Sequence, residues 1–195
     1  MIQDLTFLES GAYTPRDATV LTIAKSLRKL QVSSRKAVSE YLSRELHLDE
    51  SQKDTLFRRR TASQILDSGF ATGCSDYALA FTALARALDI PTKWVDTFEA
   101  SWIADPRAQS IRGHVFVDVL AGNTWSAYEP LRGFTPGGSY SLNGRAYIEV
   151  GKGLDFSAVY LKEEGMYRST PTNLQRFDEA LKKFKPFLLS SGVKN

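Results

Sequence analysis

The spacing of apolar and polar positions divides the chain into a helical first half and a second half rich in strands. From Asp17 onward, Val20, Ile23, Ala24, Leu27 and Leu30 recur every three or four residues, which predicts a helix capped by Asp17 and running to about Gln31. A second helix, capped by Ser33 or Ser34, carries Ala37, Val38, Tyr41, Leu42 and Leu46 on one face. Met1 to Asp17 has no period and reads as an irregular arm. The segment Asp49 to Asp54 reads as a polar loop, and Leu56 and Phe57 return the chain to apolar surroundings. Arg58, Arg59 and Arg60 form a basic run of the kind that is usually a solvated face. Thr61 then caps a short helix that ends at a loop punctuated by Gly69 and Gly73.

The most strongly patterned stretch follows. Tyr77, Ala78, Phe81, Leu84, Ala85 and Leu88 mark a helix that starts at Cys74 and is stopped by Asp89 and Pro91. Its many alanines allow close approach by a neighbour, so it is expected at the centre of the fold. After Pro91 the period becomes two. A strand is expected over 93–98, a surface loop from Glu99 to Ile111, and a strand from Arg112 to Leu120 with Val115, Val117 and Val119 on one side. His114, Phe116 and Asp118 face the other side. Residues 121–123 form a turn, and Thr124 to Glu129 returns as the partner strand, stopped by Pro130. A third strand is expected at Arg145 to Val150, a weaker one at Phe156 to Leu161, and an amphipathic helix from Asn173 to Leu188. Helices first and strands after predict an α+β domain whose antiparallel sheet packs on the cysteine helix.

Composition narrows the function. With 195 residues, 43% of them hydrophobic, the chain suffices for one packed domain spanning 1–195. A net charge of +3 gives no electrostatic case for a nucleic-acid partner. One cysteine and two separated histidines provide neither a disulfide framework nor metal-ligand spacing, so no metal and no cofactor are expected. No run approaches 18 apolar residues and no targeting pattern opens the chain, so a soluble cytoplasmic protein without membrane contact is expected.

The candidate chemistry lies at Cys74. A thiol at the first turn of a helix faces unpaired backbone N–H groups and a partial positive charge, which stabilise its thiolate. Behind it come Leu84-Ala85-Arg86-Ala87-Leu88-Asp89-Ile90-Pro91, then Gly113-His114-Val115-Phe116, then Trp125 through Glu129-Pro130. This order resembles the transglutaminase-like superfamily of cysteine enzymes. The resemblance covers roughly 61–130, taken as the catalytic core, with 1–60 as an N-terminal helical part and 131–195 completing the sheet and adding a C-terminal helix. It implies a papain-like arrangement in which Cys74 is the nucleophile, His114 the general base and acid, and Glu129 the residue that orients the imidazole. Three positions differ from the family pattern. Glutamate replaces the usual aspartate, Phe116 replaces a tryptophan, and Ser75 stands where the cross-linking members have a tryptophan.

Physical reasoning on the residues agrees with those roles. Acyl transfer by a thiol needs a base within hydrogen-bond reach and a group that fixes the base's tautomer. His47 ends an amphipathic helix with no chemistry near it and reads as structural or solvent-facing. His114 opens a strand beside Gly113, and the hairpin lays Glu129 next to it. Asp118 is a rival on the same face, but four residues along a strand is about 13 Å, too far for a direct bond. The N–H of Cys74 is one oxyanion donor, and Asp76 or Tyr77 would shape the region around it. Trp94, Trp102 and Tyr128 read first as core or rim aromatics, while Gly73, Trp102 and Tyr128 are the positions that would border a substrate.

The expected activity is hydrolysis of a peptide or isopeptide amide by a Cys74–His114–Glu129 triad, with a peptide or protein as substrate. The alternatives are a transglutaminase that passes the acyl group to an amine, and an inactive member that only binds a peptide or protein. Removal of a sugar from an asparagine amide would usually call for zinc-binding cysteines, and these are absent.

Overall fold

The computed structural model describes residues 5–30, 32–104, 112–136 and 140–158. Its helices are α1 (Ala18–Leu27), α2 (Ser34–Glu45), the single turn α3 (Lys53–Leu56), α4 (Ala62–Ser68), α5 (Cys74–Ala87) and α6 (Ala100–Ala104). Its strands are β1 (His47–Leu48), β2 (Phe70–Ala71), β3 (Thr92–Glu99), β4 (Gly113–Ala121), β5 (Thr124–Tyr128), β6 (Ser141–Leu142) and β7 (Arg145–Gly153). Five strands form an antiparallel sheet in the order β5-β4-β3-β7-β6, and β1 and β2 pair separately in parallel. The fold is α+β, with α5 against one face of the sheet.

The reason α5 lies at the centre is visible along its length. Every residue from Ser75 to Ala87 is buried, because α1, α2 and α4 pack on it from one side and β3 and β4 from the other. Val115, Val117 and Val119 project from β4 into this core with Trp94 of β3. The opposite face of the sheet carries a smaller cluster of Val95, Phe116 and Leu142. The strand period predicted this division of β4 into two faces.

Capping follows the sequence at α1 and α4, whereas Ser33 precedes α2 without a side-chain cap bond. Asp17 accepts from the Val20 N–H at 3.2 Å, and Thr61 and Gln64 form a reciprocal capping box at the start of α4. Gly69 closes α4 in the left-handed conformation with φ of 71°. The β4–β5 hairpin turns through Gly122 at φ 60°, and β6 reaches β7 through Asn143 and Gly144, also at positive φ.

Several expectations are corrected. α1 stops at Leu27 rather than Gln31, since Lys29 and Leu30 bond back three residues and leave Leu30 half exposed. The polar loop over 49–54 winds into a 3-10 turn and α3. Glu99 closes β3, and α6 occupies the start of the expected surface loop. The expected strand at 156–161 begins instead as a 3-10 turn over Phe156–Ala158. Its remainder, and the helix expected over 173–188, lie outside the described residues. The described part of the N-terminal arm opens on a 3-10 turn over Leu5–Leu8 instead of being irregular throughout, and it is pinned. Arg86 donates to Phe7 O at 3.0 Å and to Thr14 Oγ1 at 2.9 Å, and the Tyr13 N–H donates to the buried Asp155 at 2.7 Å.

The basic run is the largest departure. Arg59 is exposed, but Arg58 and Arg60 are 2% and 8% exposed. Arg58 pairs with Asp96 of β3 at 2.6 Å and Arg60 with Asp76 of α5 at 2.6 Å. A buried cation is tolerable only with such a partner.

Candidate active site

Cys74 is the first residue of α5, preceded by Gly73, which supplies no side-chain cap. The N–H groups of Asp76 and Tyr77 turn back to Gly73 O. The first donors of the helix, at Cys74 and Ser75, have no partner within the helix, and both residues border the cleft beside the thiol. The preceding loop is held by Asp76. Its Oδ2 accepts from Thr72 N–H at 2.8 Å, from Thr72 Oγ1 at 2.9 Å and from Arg60 at 2.6 Å. Asp76 therefore shapes the nucleophile's approach. Tyr77 turns away, donating to Leu46 O at 2.9 Å.

His114 meets Cys74 from β4. The imidazole faces the thiol closely enough for each to favour the other's charged form, and the Val115 backbone also favours the thiolate. On its other side His114 Nε2 donates to Glu129 Oε1 at 2.7 Å, which leaves Nδ1 for the thiol. Glu129 is fully buried, and its Oε2 accepts from Arg132 N–H at 2.6 Å. A tight turn fixes it, with Gly133 N–H donating to Glu129 O at 2.9 Å and Glu129 N–H donating to Phe134 O at 2.9 Å.

The register explains why a glutamate serves here. The last β4–β5 pair is Val117 with Tyr128. Continuing it would set Glu129 opposite Phe116, two residues or roughly 7 Å along the strand from His114. The extra methylene lets the carboxylate reach back over that offset. Asp118, the rival carboxylate, accepts from Tyr140 Oη at 2.8 Å instead.

The electrostatics favour an ion pair. Burial alone raises the Cys74 pKa, but the positive charge of His114, its hydrogen bond, the Val115 N–H and the charge of Lys53 outweigh it and bring the thiol below its ordinary value. Burial likewise lowers the His114 pKa, and the facing thiolate and Glu129 overcome this and raise it well above its ordinary 6.5. The two shifts have one cause: the charged forms stabilise each other.

A cleft with about 120 Å³ of water-accessible space opens beside the sulfur, between 73–75, Phe57 and Arg58 with Lys53, and the adjoining ends of β3 and β4. Gly73 borders it. A Cβ at that position would meet only Lys53 Cε, at 4.0 Å, so the glycine keeps the approach to Cys74 open. The other two expected substrate positions lie elsewhere. Trp102 is 2% exposed with its ring 5.4 Å from Phe98, and Tyr128 is 4% exposed with its ring 5.0 Å from Phe81, on the α5 side of the sheet. Both belong to the core, because their strand and helix positions direct them inward. His47 is exposed and lies 5.8 Å from the Phe70 ring, away from the cleft.

Sequence reasoning missed Lys53, Arg58 and Asp96 in the cleft wall. No local signal pointed to them, because Arg58 and Arg60 are on a turn, with Arg58 at φ 52°, rather than on a patterned helix or strand. Among the described residues, no group of three or more His, Cys, Asp or Glu side chains is placed to hold a metal ion, and no helix is long and apolar enough to cross a membrane.

The sequence model of the transglutaminase-like superfamily matches residues 22–130, more than half of the chain. No curated protein matches it. Among solved structures, the chain is similar to a crystal structure of a candidate cysteine protease from Cytophaga hutchinsonii, with a TM-score of 0.57 and 19% identity. That similarity covers 77% of this chain and 47% of the Cytophaga chain, so this chain spans about half that protein's length. At this identity the likeness bears on the fold.

Proposed function

The chain belongs to the transglutaminase-like superfamily, and from that premise we propose that it is a cysteine hydrolase that cleaves a peptide or isopeptide amide through Cys74, His114 and Glu129. The observation that carries this reading is His114 held between the thiol and a fully buried carboxylate.

In the proposed reaction the Cys74 thiolate adds to the amide carbonyl carbon. The resulting oxyanion is met by the Cys74 N–H at the start of α5. The C–N bond breaks as the His114 imidazolium gives its proton to the departing nitrogen, leaving a thioester on Cys74 and a neutral imidazole. His114 then takes a proton from water, the hydroxide adds to the thioester, and the C–S bond breaks. Cys74 leaves as thiolate with His114 protonated again, which restores the resting pair. Glu129 keeps the ring oriented and stabilises its cationic form throughout.

The test is a pool of short peptides and isopeptides incubated with wild type and Cys74→Ala, with products read by mass spectrometry. Cleavage by wild type alone, with a covalent acyl adduct on Cys74 after acid quench, supports the reading. Equal, absent turnover in both proteins contradicts it. Adding a primary amine to the same reaction separates hydrolysis from transfer, since a transferase would shift the product to the new amide.

A further inference from the structure

Resting on the reading above, we propose that Asp96 Oδ2 is the acceptor for an uncharged amide N–H in the acyl half of the substrate, one that sets the acyl group's orientation beside Cys74. Asp96 lines the same cleft as Cys74, and its side chain is 5% exposed. Oδ1 is taken by Arg58 Nη2 at 2.6 Å, whereas Oδ2 is buried and has no hydrogen-bond partner among the described residues. An acceptor left unmade in a buried site is costly unless something else supplies a donor, and Asp96 borders the cleft that a substrate would enter.

Register locates this acceptor. Asp96 is directly opposite Val115 across the β3–β4 pairing, so both side chains are on the α5 face of the sheet. Val115 and Cys74 both border the cleft that Asp96 lines, and the Val115 backbone favours the Cys74 thiolate. A substrate atom next to the reacting carbonyl thus comes close to Asp96.

Charge decides the kind of donor. The Arg58 cation already balances Asp96, and Lys53 adds a further positive charge to the cleft wall. A substrate ammonium or guanidinium would enter a net positive site and is disfavoured. A neutral amide N–H gains the hydrogen bond without that repulsion. Such an N–H is available from the main chain of a peptide or from a side-chain carboxamide.

The experiment compares alkylation of Cys74 by 2-iodoacetamide, its N-methyl and its N,N-dimethyl analogues. In these probes the nitrogen lies two atoms from the carbon attacked, as the main-chain nitrogen of an acyl residue does. Each rate is divided by that of glutathione under the same conditions. The wild type is expected to favour the N–H-bearing probes over the dimethyl amide by about tenfold beyond glutathione, in line with one hydrogen bond to a charged acceptor. A gain retained by the N-methyl amide identifies a peptide N–H, and a gain confined to the primary amide identifies a carboxamide.

In Asp96→Asn the amide oxygen faces Arg58 and an NH2 faces the cleft, so the preference is expected to vanish. The double variant Arg58→Met/Asp96→Leu removes the pair without leaving a lone buried charge and is expected to show the glutathione ratio as well. A wild-type ratio equal to that of glutathione overturns the proposal, and so does a preference that persists in a folded double variant, which would reflect bulk alone. Rapid alkylation by all three probes without discrimination overturns this inference and leaves the hydrolase reading intact. Sluggish alkylation by all three overturns both.

Discussion

The two ends of α5 are built on opposite plans. At the C-terminal end every demand of the backbone is met from outside the helix. Arg28 donates to Ala87 O at 2.8 Å, Asp89 turns through the left-handed conformation at φ 63°, and Arg86 donates to Thr92 O at 2.6 Å while holding the N-terminal arm. At the N-terminal end there is a glycine instead of a capping side chain, and the first two residues of the helix border a cleft. The stability of α5 comes from its buried length and its closed end. That permits the other end to remain underfilled, with its electrostatic potential directed at a thiol and at whatever enters beside it.

The comparison is broken most severely at the open end. Cys74→Ala is expected to abolish turnover with the melting temperature nearly unchanged, and His114→Ala to lower kcat/KM by about 10³-fold or more while also lowering stability, because the buried Glu129 carboxylate loses its partner. A marked loss of stability in Cys74→Ala would place that residue in the structural frame. Glu129→Gln is expected to cost roughly 10²-fold in kcat with a smaller change in KM, and to shift the pH profile, because a neutral amide no longer favours the imidazolium. Circular dichroism should show the variant folded.

At the boundary between the two plans is Asp76, which ties the cysteine loop to Arg60. Asp76→Ala strands the Arg60 cation in the interior and is expected to destabilise the protein by about 3–5 kcal/mol in denaturant unfolding. Leu84→Ala, in the fully buried middle of α5, should cost about 2–5 kcal/mol and leave the pH dependence of Cys74 alkylation unchanged. The smallest expected effect is that of Lys53→Met. It removes a positive charge from the cleft wall and should move the pH dependence of alkylation slightly upward, with no change in unfolding.

The open end was far more legible in the sequence than its surroundings. Cys74 announced itself through the glycine before it and the apolar period after it, and His114 and Glu129 through their order on two strands joined by a short turn. These are local signals. The Arg58–Asp96 and Arg60–Asp76 pairs were not legible, because each joins residues 38 and 16 positions apart and only the fold brings the acids to the arginines. Trp102 and Tyr128 were open to two readings, since an aromatic residue beside a site and one beneath it have the same pattern in sequence. The strand expected from Phe156 failed for a physical reason: Asp155 is buried and accepts from the Ser157 N–H at 2.9 Å, which bends the chain into a turn.

The central claim is that Cys74 and His114 rest as an ion pair, and the pH dependence of Cys74 alkylation by iodoacetamide tests it most directly. The thiol pKa is lowered and the imidazole pKa raised, so the thiolate should persist as pH falls below the ordinary thiol value of about 8.5, until the lowered pKa is passed. Throughout that window its partner carries a charge. Wild type is therefore expected to show a rate plateau extending well below the ordinary thiol value. In His114→Ala burial remains and the cation is gone, so the inflection should move upward and the plateau disappear. A wild-type rate that rises only near the ordinary thiol value, or a plateau that survives the loss of His114, would contradict the account.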